Sequence, residues 1–190
     1  IEDYYFFNYL FSLLTEADKL DASETPLYQK QAIDDKAVDQ YIPSVNLNKL
    51  PSPEQAENQN ELRNLARATV MENLNDPAIL DHRLFTLTAP TGIGKTLTSL
   101  DFALKLKAKI RQQQDHEAQI IYGLPFINII EQAFNIYANQ VFSDDIENEN
   151  IKILAHYQYA DLFGNEKDDE QSKYQQKLMQ LDTWQSDIVI

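Results

Sequence analysis

Residues 84–96, Leu-Phe-Thr-Leu-Thr-Ala-Pro-Thr-Gly-Ile-Gly-Lys-Thr, constrain the fold more than any other stretch of the chain. An apolar, partly β-branched run over 84–88 enters a loop with two glycines, then Lys95 and Thr96. Residues 97–106 follow with apolar side chains at helical spacing. That order predicts a strand, a phosphate-binding loop and a helix. Gly92 and Gly94 let the backbone curl until successive N–H groups face one concavity, which an anion can fill. The helix start adds its own unpaired N–H groups and the positive end of its dipole. Lys95 is then expected to reach the β- and γ-phosphates of a bound ATP, and the Thr96 hydroxyl to ligate Mg²⁺. The expected nucleotide site is therefore Ala89, Pro90, Thr91, Gly92, Ile93, Gly94, Lys95 and Thr96, with Lys95 and Thr96 acting on the phosphates.

Composition bounds the alternatives. Hydrophobic residues make up 43% of 190, enough for a globular body with a core. Cysteine is absent, which removes disulfides and thiolate metal sites and fits a reducing, cytoplasmic setting. No apolar run approaches the ~20 residues of a membrane span, so no membrane partner is expected. The net charge of −14 argues against a surface that grips nucleic acid through excess Lys and Arg. Acids concentrate in 16–39, 144–149 and 166–170, however. A groove that holds phosphates with backbone N–H groups and helix ends stays open to this chain.

Around the loop, the chain alternates. Phe6, Leu10, Leu13, Leu14 and Ala17 predict an amphipathic helix over 1–20. Pro26, Pro43, Pro51 and Pro53 punctuate a polar stretch expected to link two domains, with a weak helix through 29–40. Ser52-Pro53-Glu54 reads as a helix start, and apolar spacing continues to Leu74. Residues 119–124 and 151–156 read as buried strands and 187–190 as a third; helices are expected from Asn128, capped with help from Glu131, and over 174–181. Strands alternating with helices imply an α/β domain with a mostly parallel sheet.

The loop has Ala89 where the commonest form of the motif has glycine, and in this it resembles motif I of superfamily 2 helicases. More specifically, residues 87–106 resemble motif I of the CRISPR-associated helicase-nucleases of type I systems, and residues 122–132, Tyr-Gly-Leu-Pro-Phe-Ile-Asn-Ile-Ile-Glu-Gln, are similar to that family's motif Ia. The family often has Thr-Ser where this chain has Ile127-Asn128, so a hydroxyl contact at 127 is not expected. Residues 154–158 resemble the family's His-containing segment, and 184–190 the approach to a further motif. Leu-Leu-Thr-Glu-Ala-Asp-Lys-Leu, 13–20, is similar to the segment that carries the last metal-ligand Asp of an HD-type nuclease, with Asp18 at the ligand position.

The resemblance implies a division at 1–22 (end of an all-α HD-type nuclease domain), 23–52 (linker) and 53–190 (part of the first RecA-like domain). It implies an ATP-dependent helicase that translocates on single-stranded DNA, coupled to a nuclease that uses a divalent transition metal and degrades invader DNA in CRISPR interference. The implied partners are single-stranded DNA and a CRISPR RNA-guided surveillance complex. Pro125, Phe126, Asn128 and His156 are the implied nucleic-acid contacts. A partial chain without the motif II carboxylates or the second RecA-like domain is expected to bind nucleotide weakly and hydrolyse it poorly. Another superfamily 2 translocase and a non-hydrolysing nucleotide-binding module are the competing readings.

Several residues carry two readings. Asn128 serves either as a helix cap or as a phosphate contact, and His156 either as a surface residue or as a DNA contact. Tyr157 and Tyr159 either stack on bases or pack under a loop. Asp18 is either a ligand or a solvated helix residue. In such motors the adenine is often contacted from just before motif I, where Gln59 and Asn60 both lie.

Overall fold

The computed structural model describes residues 2–22, 26–42, 58–148, 150–156 and 184–190. Its centre is a three-stranded parallel sheet made of β1 (Ile120–Ile121), β2 (Ile153–Leu154) and β3 (Ile188–Val189), in the order β1-β3-β2. Ile120 pairs with Ile188 and Ile188 with Ile153, so the last strand in sequence inserts between the first two. Successive side chains of a strand leave on opposite faces. Ile188 and Val189 are both buried, so β3 is covered on each side, as a central parallel strand must be.

Six α-helices are described: α1 (Glu2–Ala22), α2 (Ala37–Tyr41), α3 (Gln59–Glu72), α4 (Lys95–Gln114), α5 (Ile127–Ile136) and α6 (Ser143–Glu147). Asn58 opens α3, its side-chain oxygen accepting from the backbone N–H groups of Asn60 and Glu61. The expected Ser52 start lies outside the described residues. Asp115, at φ 50°, closes α4 in the left-handed conformation, and its N–H returns to the Arg111 carbonyl. The buried Lys107 ammonium caps the following turn through the Ala118 carbonyl at 2.7 Å. Leu100 and Leu104 of α4, Ile130 and Ala133 of α5, Tyr137, Phe142 and Ile188 share one core.

The expected linker is packed where it is described. Ile33, Ala37 and Val38 enter that same core, and the helix in this stretch is confined to α2 rather than running through 29–40. Asp187, fully buried, holds the segment down: it accepts from the Tyr28 hydroxyl, the Gln31 N–H and the Lys152 N–H. Burial, and then the adjacent Asp187, push the Tyr28 phenol up, so it remains a proton donor.

Three expectations are corrected. Residues 84–88 form no strand. No neighbouring strand pairs with them among the described residues, and Leu84 is 86% exposed. An apolar run without a ladder partner leaves its backbone groups to water. The amphipathic face expected on α1 is not buried either: Phe6, Leu10, Leu13 and Leu14 are all exposed, and over residues 3–22 only Leu20 is buried. The strands at 119–124 and 151–156 shorten to two paired residues each.

A candidate nucleotide site at the sheet edge

The phosphate loop forms where the sequence places it. Gly92 and Gly94 adopt φ of 82° and 86°, the left-handed region that glycine enters at little cost. Gly94 is the cap residue of α4, so Lys95 and Thr96 are its first two residues. The first N–H to return into the helix is that of Thr98, to the Gly94 carbonyl at 3.0 Å. The N–H groups of the preceding residues have no intrahelical acceptor and are the donors an anion would use. The Lys95 ammonium sits over the loop, donating to the carbonyls of Ala89 at 2.8 Å and Pro90 at 2.9 Å. Those bonds hold it at the mouth of the concavity until a stronger acceptor arrives. The residues therefore suit a nucleoside triphosphate. Magnesium, when bound, would neutralise phosphate charge beside the Thr96 hydroxyl.

Neighbouring elements fix the start of α4 from two sides. On the sheet side, Ser99 Oγ lies 2.8 Å from the Tyr122 hydroxyl and 3.0 Å from the Thr96 carbonyl. The Tyr137 hydroxyl donates to the same Thr96 carbonyl at 3.1 Å, and its ring meets that of Tyr122 edge to face. Burial, and then the proximity of Tyr122, push the Tyr137 phenol up, so it stays protonated and keeps donating. Tyr122 directly follows β1, so this network joins the loop to the carboxyl edge of the parallel sheet. Ligand sites of open α/β sheets occupy that edge.

On the opposite side, α3 lies along the loop. Arg63 Nε donates to the Gly92 carbonyl at 2.8 Å, and its Nη1 to Asn60 Oδ1 at 3.1 Å. Gln59 also approaches: a Cβ added at Gly92 would stand 3.4 Å from its Nε2. One turn on, the buried Arg67 contacts Asp39 at 2.5 Å and Asp101 at 3.0 Å, and Lys105 contacts both acids. Burial raises the Asp101 carboxyl above its ordinary range despite Lys105 and Arg67. Burial acts the same way on Asp39, but there the two cations prevail and its carboxyl lies low. A cleft of about 520 Å³ opens between α3 and the loop, lined by Tyr41, Asn60, Asn64, Ile93 and Leu97 among others. A larger one of about 740 Å³, between α1 and residues 184–186, shares no residue with the loop.

The expected nucleic-acid contacts lie on the same edge of the sheet. Pro125, Phe126 and Asn128 are exposed in the turn that leaves β1 and starts α5. Phe126, not Asn128, occupies the cap position: its extended backbone sends a carbonyl to the N–H groups of Ile129 and Ile130. Asn128 therefore sits within the first turn rather than starting the helix, which corrects the capping expectation. His156 is exposed past β2, its N–H on the Ile190 carbonyl at 2.7 Å and its ring edge-on to Trp184. Tyr157 and Tyr159 lie outside the described residues. Asp18 is exposed on α1, and no group of three or more potential ligand residues surrounds it or any other point among the described residues. One carboxylate does not make a metal site.

Sequence reasoning missed Arg63, Ser99, Tyr122 and Tyr137. Their partners lie 23 to 41 positions away along the chain, at distances no local periodicity encodes. Only Arg63 left a trace, as a cation one turn beyond the Gln59-Asn60 pair.

Comparison with known proteins places the chain among relatives. The chain is 25% identical over 164 residues to the "CRISPR-associated nuclease/helicase Cas3" of Haloferax volcanii, a match covering 83% of this chain and 17% of that protein. The chain thus spans about a sixth of the curated relative's length. No solved structure matches. The resemblance to CRISPR-associated helicase-nucleases read from motifs I and Ia is borne out by that relative. A family model described as "Type III restriction enzyme, res subunit" matches residues 24–188, with the RecA-like fold that such helicase domains share. Nearly the whole chain, phosphate loop included, falls within that match, and the chain belongs to this type III restriction enzyme res-subunit family.

Proposed function

We propose that this chain is the nucleotide-binding front of an ATP-dependent helicase that translocates on single-stranded DNA. The observation that carries the reading is the loop itself. Two left-handed glycines deliver Lys95 and Thr96 to the start of α4 at the carboxyl edge of a parallel sheet. In this reading Lys95 exchanges its loop carbonyls for β- and γ-phosphate oxygens, and the N–H groups that open α4 hold the same phosphates. The nucleoside lies toward α3, where Asn60 lines the cleft beside the loop and Gln59 approaches Gly92.

The turn after β1 and the His156 segment are proposed to face the DNA. Pro125, Phe126 and Asn128 open α5, whose N-terminal N–H groups suit a backbone phosphate. This mode of grip is consistent with a chain of net charge −14. The name of the Haloferax volcanii relative supports coupling to a nuclease in a CRISPR system; a cytoplasmic setting and a surveillance complex as partner belong to the same proposal. The division of the chain at 22 and 52, and Asp18 as one ligand of a metal site completed elsewhere in the protein, belong to the same proposal. No metal step is assigned to this chain.

Equilibrium binding of ATP with Mg²⁺ to the protein that carries this chain tests the site. Lys95→Ala is expected to weaken binding about 10- to 100-fold, the worth of a charged hydrogen bond in a preorganised site. Unchanged affinity in a folded Lys95→Ala protein would remove the nucleotide assignment.

A further inference from the structure

Arg63 is bonded to the phosphate loop although it lies 29 positions before Gly92 and outside every motif read from the sequence. Its Nε reaches the Gly92 carbonyl at 2.8 Å, and Asn60 Oδ1 steadies the guanidinium from the previous turn of α3 at 3.1 Å. Its Cγ lies 3.8 Å from where a Cβ at Gly94 would be, so the stem covers the second glycine while the head holds the first.

The bond matters because of what glycine permits. At φ 82° and without a Cβ, Gly92 leaves the peptide between 92 and 93 little steric resistance to turning over. In a trans peptide the carbonyl and the following N–H point in opposite directions. A Gly92 carbonyl held by Arg63 therefore turns the Ile93 N–H away from α3. Were the peptide to flip, that position would offer an oxygen where the opposite orientation offers a donor. For a loop that binds anions through N–H groups, this changes attraction into repulsion.

We infer that Arg63 is a positioning residue for the nucleotide: it locks the Gly92–Ile93 peptide so that the loop presents donors to the phosphates before ligand arrives. The inference rests on the nucleotide reading of the loop. The rest of α3 supports it. One turn on, Arg67 anchors this helix to Asp101 inside α4, so the helix that grips the loop is itself fixed to the helix the loop precedes. Arg63 acts on the phosphate half of the ligand and not on the base, which sets it apart from a residue that reads adenine.

The test is titration of the intact protein with ATP and, separately, with inorganic tripolyphosphate, joined to hydrogen exchange at the Ile93 amide without ligand. Arg63→Met should weaken both ligands by a similar factor, about tenfold for one lost charge-assisted bond. It should also speed exchange at Ile93, and Arg63→Lys, which keeps a charged donor, should recover most of both effects. Arg63→Gln, expected to behave like Arg63→Met, serves if the latter does not fold. Wild-type affinity for both ligands in a folded Arg63→Met protein overturns the inference. Loss of ATP binding alone, with tripolyphosphate unaffected, overturns it in favour of base recognition. Failure of both the Met and Gln variants to fold overturns it in favour of a purely structural role. If the wild-type protein binds neither ligand, the nucleotide reading itself is what fails.

Discussion

Thr96 shows how single side chains hold this site. Its carbonyl accepts from both Ser99 and the buried Tyr137 hydroxyl, so removing either donor leaves the other. Tyr137→Phe should therefore cost only about 1 kcal/mol of stability, the low end for a buried hydrogen bond, because no acceptor is orphaned. Chemical denaturation checks it, and a loss of several kcal/mol would mean that Tyr137 does more than this bond describes. Leu104, almost fully buried in α4, makes the contrast: Leu104→Ala should cost about 2–5 kcal/mol through lost burial and the cavity left behind. At this scale the glycines, Lys95 and Thr96 were legible because their chemistry is local and their spacing fixed. Arg63 and Tyr137 were not, since each works on a backbone carbonyl far away in sequence, and any residue type presents such a carbonyl.

Among elements, the segment 26–42 departs most from what its sequence suggests. Prolines and polar residues marked it as a connection, yet Val38 is wholly buried and Asp39 binds cations from both α3 and α4. Asp39 has a clear pH consequence. Its carboxyl lies below its ordinary value of 3.8 in the folded protein. The folded state thus favours the charged form, and the stability this contributes is present above the ordinary value and lost as pH falls through and below it. Asp39→Asn should flatten the acid side of the stability curve, measured by denaturation between about pH 3 and 5. A curve as steep as that of the wild type would show that Asp39 does not carry the dependence. Asp101 has the opposite sign, since burial raises it, and its contribution weakens as pH rises. Helices α3 and α4 were legible from apolar spacing, and the start of α4 from its glycine loop; the Asn58 cap of α3 was not. The strand expected over 84–88 was not realised, because apolar character specifies burial but not which neighbour supplies the ladder.

In the whole molecule, three short strands set the order of everything attached to them. Because β1 and β2 both pair parallel to β3, the turn after β1 and the segment after β2 emerge on one edge of the sheet. Alternation of strands and helices made the α/β class legible. The order of the strands was not, since each reads as the same kind of apolar run. Asp18 is exposed on helix α1. In the protein that carries this chain, Asp18→Ala is expected to remove metal-dependent DNA cleavage and leave ATP turnover unchanged. Cleavage at the wild-type rate would make α1 a packing helix only. The loop at the sheet edge is proposed to couple nucleotide to single-stranded DNA. Its most direct test is the rate of ATP hydrolysis by the protein that carries this chain, with and without single-stranded DNA, for the wild type and Lys95→Ala. DNA-stimulated hydrolysis is expected in the wild type and none in the folded Lys95→Ala protein; stimulated turnover that survives Lys95→Ala would contradict that coupling.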